Sequence, residues 1–314
     1  MMKNKYTFFA MLAVVLISAC GGGGSSSSSE VAPEIQNPTD LACRSFQTNT
    51  QKCSFTHNGL LREYYLYVPS SYTPSSNAPL LFIFHGYGSS ATNIFYYSNF
   101  ESLANQDEYI LVYPQGSLLN GVTHWNVGGW TIGSTVDDIS FTEDIIDIID
   151  NEYFINTDRI YSTGMSNGGY MSYGLACKSN KFAAIASVTG SMTPEIDNGC
   201  SPANPIPIMQ IHGLQDSTVQ YTGASWSLSI PDVMEYWSSY NACDEDPSSV
   251  ITDLNNGSYI LVDSYQNCSN NVGVELILHS TMGHTWPSLN NHSLSATDQI
   301  WSFFAKYDIN GAIN

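Results

Sequence analysis

Asp158-Arg159-Ile160-Tyr161-Ser162-Thr163, running into Gly164-Met165-Ser166-Asn167-Gly168-Gly169, is the stretch that decides the fold. The first six residues read as a strand. The next six set a serine between glycines two positions before and two after it, the spacing needed where a strand turns sharply into a helix and crowds its own backbone. Gly169-Tyr170-Met171-Ser172-Tyr173-Gly174-Leu175-Ala176-Cys177 then reads as a buried helix, its N-terminal dipole and free N–H groups facing the serine. Ser166 is therefore the candidate nucleophile.

Outward from this stretch, apolar runs rich in β-branched and aromatic residues recur at 64–68, 80–84, 109–113, 160–161, 183–188, 206–211 and 274–278. Several are continuous rather than alternating, as in a parallel sheet covered on both faces. Helix-like segments lie between them. The clearest covers 141–153, with Phe141, Ile145, Ile148, Ile149 and Tyr153 on one stripe and Ser140 and Glu143 at capping-box spacing; others fall near 91–105, 231–240 and 295–307. This alternation predicts an α/β fold, a doubly wound and mostly parallel sheet with helices on both faces and a site at the carboxyl ends of its strands.

A serine hydroxyl needs a base to take its proton and an acid to orient that base. His284, in Met282-Gly283-His284-Thr285-Trp286-Pro287 after the 274–278 run and before the last helix, is the expected base. His279 falls at the end of that strand, His292 lies in a polar stretch, and His57 and His124 precede the serine. Asp216 follows a strand in Ile211-His212-Gly213-Leu214-Gln215-Asp216 and is the expected acid, whereas Asp232, Asp244 and Asp246 follow none. The oxyanion donors are expected to be the N–H groups of Asn167 and of Tyr87, the latter in Phe84-His85-Gly86-Tyr87-Gly88-Ser89. His85 reads as a scaffold residue of that loop. The order Ser166, Asp216, His284 is that of α/β-hydrolases.

Nine Lys and Arg against 28 Asp and Glu give a formal charge of −19, which excludes a nucleic-acid partner and favours neutral esters or neutral polymers. Basic residues open the chain, and the apolar run 6–17 is too short to span a bilayer, so an export signal is expected over 1–19. Ile17-Ser18-Ala19-Cys20 resembles a bacterial lipobox, with Cys20 as the lipidated residue. A Gly/Ser-rich tether over 20–40 and one catalytic domain over 41–314 complete the expected organisation. The expected location is the outer membrane, at the cell surface or facing the periplasm, or the medium, with membrane contact only through the lipid; a monomer is expected. The other six cysteines suit three disulfides in an oxidising compartment. Fifteen pairings are possible, and the sequential set of Cys43 with Cys53, Cys177 with Cys200 and Cys243 with Cys268 closes three short loops. There is no Cys-x-x-Cys and no histidine pair at helical ligand spacing, so neither a metal nor another cofactor is expected.

Six ordered motifs carry a family resemblance: His85-Gly86-Tyr87-Gly88, Tyr113-Pro114-Gln115-Gly116, Val136-Asp137-Asp138 with Phe141, the Ser166 segment, His212-Gly213 with Asp216, and Gly283-His284-Thr285-Trp286-Pro287. Over about residues 60–308 the chain resembles the polyhydroxybutyrate depolymerase-like esterases, a family that also contains feruloyl and acetylxylan esterases. The resemblance implies a serine carboxylic-ester hydrolase that needs no cofactor, with catalytic residues at Ser166, Asp216 and His284. It also supports the pairs 177 with 200 and 243 with 268. Many depolymerases of this type carry a cysteine where this chain has Tyr87, and those acting on solid polymer often add a polymer-binding domain. The expectation therefore moves from crystalline polymer toward oligomeric or amorphous polyester. Hydroxycinnamoyl or acetyl esters on polysaccharide are the alternative substrate, and a non-catalytic glycan- or polymer-binding lipoprotein is a further one. A prolyl-oligopeptidase-type peptidase shares the triad order but would carry a large gating domain. Trp125, Trp130 and Trp286, with Tyr87, are the expected aromatic wall for a flat acyl group. The loops 114–139 and 217–230 are expected to shape the pocket.

Overall fold

The computed structural model describes residues 38–313, so the expected export signal, Cys20 and most of the tether lie outside the described residues. Its main sheet is built from β1 (Ala42–Gln47), β2 (Thr50–His57), β3 (Leu60–Tyr67), β4 (Ala78–Phe84), β5 (Ile110–Pro114), β6 (Ile155–Met165), β7 (Ala184–Val188), β8 (Ile208–Gly213), β9 (Ser248–Asp253), β10 (Tyr259–Tyr265) and β11 (Val274–His279). In space the order is β1-β2-β3-β5-β4-β6-β7-β8-β11-β10-β9. The run from β5 to β11 is parallel throughout. Antiparallel ribbons extend it on both sides.

The continuous apolar runs behave as read. All seven residues of β4 are buried, and successive side chains serve opposite faces. Leu80, Phe82 and Phe84 pack into the core that includes α3 (Asp138–Glu152), α4 (Asn167–Lys178) and α5 (Ile230–Tyr240). Leu81 and Ile83 pack into the core under α1 (Ala91–Ser98), α2 (Glu101–Asp107) and α6 (Ala296–Phe304). Both faces are thus covered, and the carboxyl ends of the strands are left to build a site.

Two helices depart from the sequence reading. The segment near 91–105 is split, because Asn99 takes a left-handed φ of 52° and ends α1. The helix expected over 141–153 starts earlier. Its cap is Asp137, whose carboxylate accepts from Ser140 N–H at 3.0 Å, so Ser140 lies inside the first turn and the capping box with Glu143 does not form. Asp138 is buried and pairs with the equally buried Arg62 at 2.7 Å while accepting from Asn126 N–H at 2.8 Å. Arg62 also lies over the Phe141 ring, 3.7 Å from its centroid. Together these contacts fix α3 to β3 and to the loop that leads into α3.

The outermost strands, β1 and β9, are exposed at every residue. Disulfides join Cys43 to Cys53 across the first ribbon, Cys177 at the end of α4 to Cys200, and Cys243 after α5 to Cys268 before β11. Among the described residues no helix is long and apolar enough to cross a membrane.

Candidate active site

At the end of β6 the chain turns on Ser166, whose φ of 54° and ψ of −122° form a strained corner for a residue with a side chain. Such a corner costs about 1–3 kcal/mol and persists only where its surroundings hold it. Here Ser166 N–H donates to Val188 O at 2.9 Å, and Ser166 O accepts from Gly169 and Tyr170 N–H at 2.8 and 3.1 Å. The glycine requirement is steric. A Cβ on Gly168 would lie 2.1 Å from Phe84 O, and one on Gly164 would lie 2.5 Å from the carbonyl carbon of Gly168. The corner is thus pressed against the end of β4.

Asn167 begins α4, so its N–H has no partner within the helix. Its buried side chain is clamped by the Trp125 backbone, with Oδ1 accepting from Trp125 N–H at 2.7 Å and Nδ2 donating to Trp125 O at 3.2 Å. The second donor loop crosses directly over the serine, since a Cβ on Gly86 would stand 3.5 Å from Ser166 Cβ. Among the described residues the N–H of Tyr87 takes no backbone acceptor. Asn167, directly after Ser166, and Tyr87, which lines the same cleft, thus both stand next to the serine.

His85 supports this loop from beneath. It is buried, and its Nδ1–H donates to Gly86 O at 2.8 Å while Nε2 accepts from Gly116 N–H at 2.9 Å. Burial pulls its pKa down to about 4, against the opposing effect of the Gly86 bond, so the ring is neutral. Gln115 completes the support, donating to His85 Nε2 at 3.2 Å and accepting from Ala91 N–H at 3.0 Å.

His284 Nδ1 lies 2.8 Å from Asp216 Oδ2, and the other carboxylate oxygen accepts from the N–H groups of Thr218 and Val219 at 2.8 and 2.9 Å. Burial pushes the Asp216 carboxyl up, but the His284 bond and charge, with the two N–H groups, outweigh it and leave it below the usual carboxylate range. An ionised Asp216 holds the Nδ1–H of the imidazole and turns Nε2 free to act as the base. The two loops touch through their backbones: Gln215 N–H donates to Met282 O at 3.0 Å, and a Cβ on Gly213 would lie 2.1 Å from that same oxygen. His212 is buried behind them, its Nε2–H donating to Val219 O at 2.9 Å and its Nδ1 accepting from Gln210 at 3.0 Å. Burial brings its pKa to about 4.

Ser166 and His284 open onto one cleft of about 300 Å³, lined also by Gly86, Tyr87, Asn93 and Tyr97. The structure thus brings together Ser166, Asp216, His284, Asn167 and Tyr87. The aromatic wall is corrected. Trp125 is wholly buried, with its indole N–H on His85 O at 2.9 Å, and Trp286 is 4% exposed, with its indole N–H on Thr297 Oγ1 at 3.1 Å. Both rings pack the core because their loops turn them inward, so neither faces a ligand. Trp130 is half-buried in an aromatic cluster, 6.5 Å from the Tyr87 ring and 5.0 Å from those of Tyr170 and Trp226. Trp226 and Tyr97 escaped the sequence reading, since neither stands in a motif.

The Prolyl oligopeptidase family matches residues 134–197, a segment that contains Ser166. A bifunctional acetylxylan esterase/xylanase of Neocallimastix patriciarum is 31% identical over 164 residues, covering 52% of this chain and 22% of that protein. Feruloyl esterase B of Piromyces equi is 30% identical over 228 residues, covering 69% of this chain and 41% of its own length. The chain thus spans less than half the length of these two curated relatives. Feruloyl esterase D of Neurospora crassa is 25% identical over 276 residues, covering 83% of this chain and 87% of its own length. Among solved structures, an acetyl xylan esterase from Aspergillus awamori superposes with a TM-score of 0.58 at 16% identity, covering 78% of this chain and 94% of that one, a likeness of fold.

Proposed function

We propose that this chain, an α/β-hydrolase of the feruloyl esterase-like family, is a serine carboxylic-ester hydrolase whose substrates are feruloyl or acetyl esters of a neutral polysaccharide. The observation that carries the reading is His284, held by Asp216, sharing a cleft with a serine on a strained corner at the start of a helix. Ser166 Oγ attacks the ester carbon as its proton passes to His284 Nε2. The carbonyl oxygen takes up the negative charge, and the N–H groups of Asn167 and Tyr87 bind it. His284 then returns the proton to the departing alcohol oxygen as the C–O bond breaks. Water then attacks the acyl carbon as the same imidazole takes its proton, and that proton passes to Ser166 Oγ as the acyl–oxygen bond breaks and the acid leaves.

The expected polyester substrate finds no counterpart in the relatives' names, which are those of feruloyl and acetylxylan esterases. Tyr87, exposed on the cleft and packed against the half-buried Trp130, supplies flat apolar surface for an aryl group, and the formal charge of −19 suits a neutral polymer. Three disulfides support an exported enzyme, and lipidation at Cys20 remains part of the proposal on sequence grounds.

The test is product release from methyl ferulate, acetylated xylan and amorphous polyhydroxybutyrate by the wild type and Ser166→Ala. Ferulate or acetate release is expected, reduced about a thousandfold or more in the variant. Hydroxybutyrate release alone would overturn the substrate assignment, and equal activity of the two proteins would overturn the nucleophile.

A further inference from the structure

We propose that Tyr97 is a positioning residue for His284, its hydroxyl clasping the loop that carries the base to the helix that follows the oxyanion loop; the inference rests on the hydrolase reading of this site. Tyr97 stands in the last turn of α1 and lines the cleft beside Ser166 and His284, with 49% of its surface exposed. Its hydroxyl is 2.6 Å from Thr285 Oγ1 and accepts from Trp286 N–H at 3.1 Å. These are the two residues immediately after His284. One hydroxyl has a proton to give and lone pairs to receive, so both contacts can form together, the proton going to Thr285 Oγ1 while Trp286 donates.

The same helix end is gripped a second time. Trp286 Nε1–H donates to Thr297 Oγ1 at 3.1 Å, and the Thr297 hydroxyl donates to Ser98 O at 2.5 Å, one residue beyond Tyr97. At its other end α1 is capped by Ser90, directly after the Gly86-Tyr87-Gly88-Ser89 turn, and Ala91 N–H is held by Gln115. An eight-residue rigid element therefore has the oxyanion loop at its start and the base loop at its finish. Asp216 fixes the His284 ring only through Nδ1, which leaves the ring free to swing about that bond. A clasp on the following two residues sets the swing and so the approach of Nε2 to Ser166.

Removing only the hydroxyl tests this. Tyr97→Phe is expected to lower kcat on an ester substrate about tenfold, with KM changed less than about twofold. Phosphonylation of Ser166 should slow by a similar factor, and amide exchange at Trp286 should quicken. Thr285→Val is expected to act in the same direction, and the double variant to be no worse than Tyr97→Phe. Thermal midpoints should stay together, because a half-exposed ring is retained. Unchanged kcat and phosphonylation would overturn the proposal, as would a rise in KM alone, which would make Tyr97 a substrate contact. A loss of kcat that tracks a fall in thermal midpoint, with additive single variants, would reduce Tyr97 to a structural role and also overturn it. Should the wild type prove inert toward both esters and phosphonate, the hydrolase reading fails; Trp286 exchange then decides the clasp separately, unchanged exchange refuting it.

Discussion

Ser140, His57 and Asp144 repeat the residue types of the candidate site elsewhere on the molecule. Ser140 Oγ is 3.1 Å from His57 Nε2, and His57 Nδ1 is 2.7 Å from Asp144 Oδ2. Ser140 is bonded to its histidine, whereas Ser166 and His284 share a cleft, and what this trio lacks lies around it. His57 Nε2 also accepts from Asn58 Nδ2 at 3.0 Å, so its lone pair is already shared. The Ser140 N–H is committed to Asp137, and the serine sits in ordinary helical backbone rather than on a strained corner. A serine-directed phosphonate is therefore expected to add one mass increment, on Ser166, and none to Ser166→Ala protein. A Ser140 adduct on intact mass and peptide analysis would mean that the hydrogen-bonded trio suffices without donors for the oxyanion.

Elements, rather than single residues, carry the rigidity of the site. Cys177 belongs to the last turn of α4, the helix that presents Asn167, and its bond to Cys200 closes a loop across the 23-residue separation that also holds β7. Replacing both cysteines with serine is expected to cost about 3 kcal/mol in urea unfolding, with activity retained well below the transition. A change below about 1 kcal/mol would show that α4 is held by packing alone. The parallel strands and the serine corner were legible because a doubly covered strand must be apolar throughout and the corner admits only glycine at fixed spacings. β1 and β9 were not legible, since Ala42–Gln47 and Ser248–Asp253 bury no face and carry no alternation to read. The break at Asn99 was also hidden, because a single left-handed residue leaves the apolar spacing on either side unchanged. Side-chain direction is a property of the whole fold. That is why Trp125 and Trp286 resembled cleft residues in sequence and lie in the core, and why a bond between Tyr97 and Thr285, 188 positions apart, left no local trace.

At the scale of the whole molecule, two buried neutral histidines make stability depend on pH. His85 and His212 both have pKa values pulled by burial from 6.5 to about 4. Below pH 6.5 the unfolded chain binds protons that the folded protein refuses, so their contribution is complete above that pH and is lost as pH falls toward 4. The loss is on the order of 3 kcal/mol per histidine. Asp216 acts in a lower window, because its depressed carboxyl stabilises the fold above the ordinary value of 3.8 and stops doing so as pH falls below it. Calorimetric midpoints are expected to decline steadily from pH 6.5 to 4.5; a flat profile would refute the neutral, buried state of these rings. The open borders of the sheet have a different kind of consequence. Among the described residues β1 and β9 end the strand order, and on β9 Val250 and Ile251 are 59% and 67% exposed. At low ionic strength the mutual repulsion of strongly negative copies keeps such borders apart. At about 1 M salt that repulsion reaches only about 3 Å, and intermolecular strand pairing along these borders is the expected route of any aggregation in crowded solution.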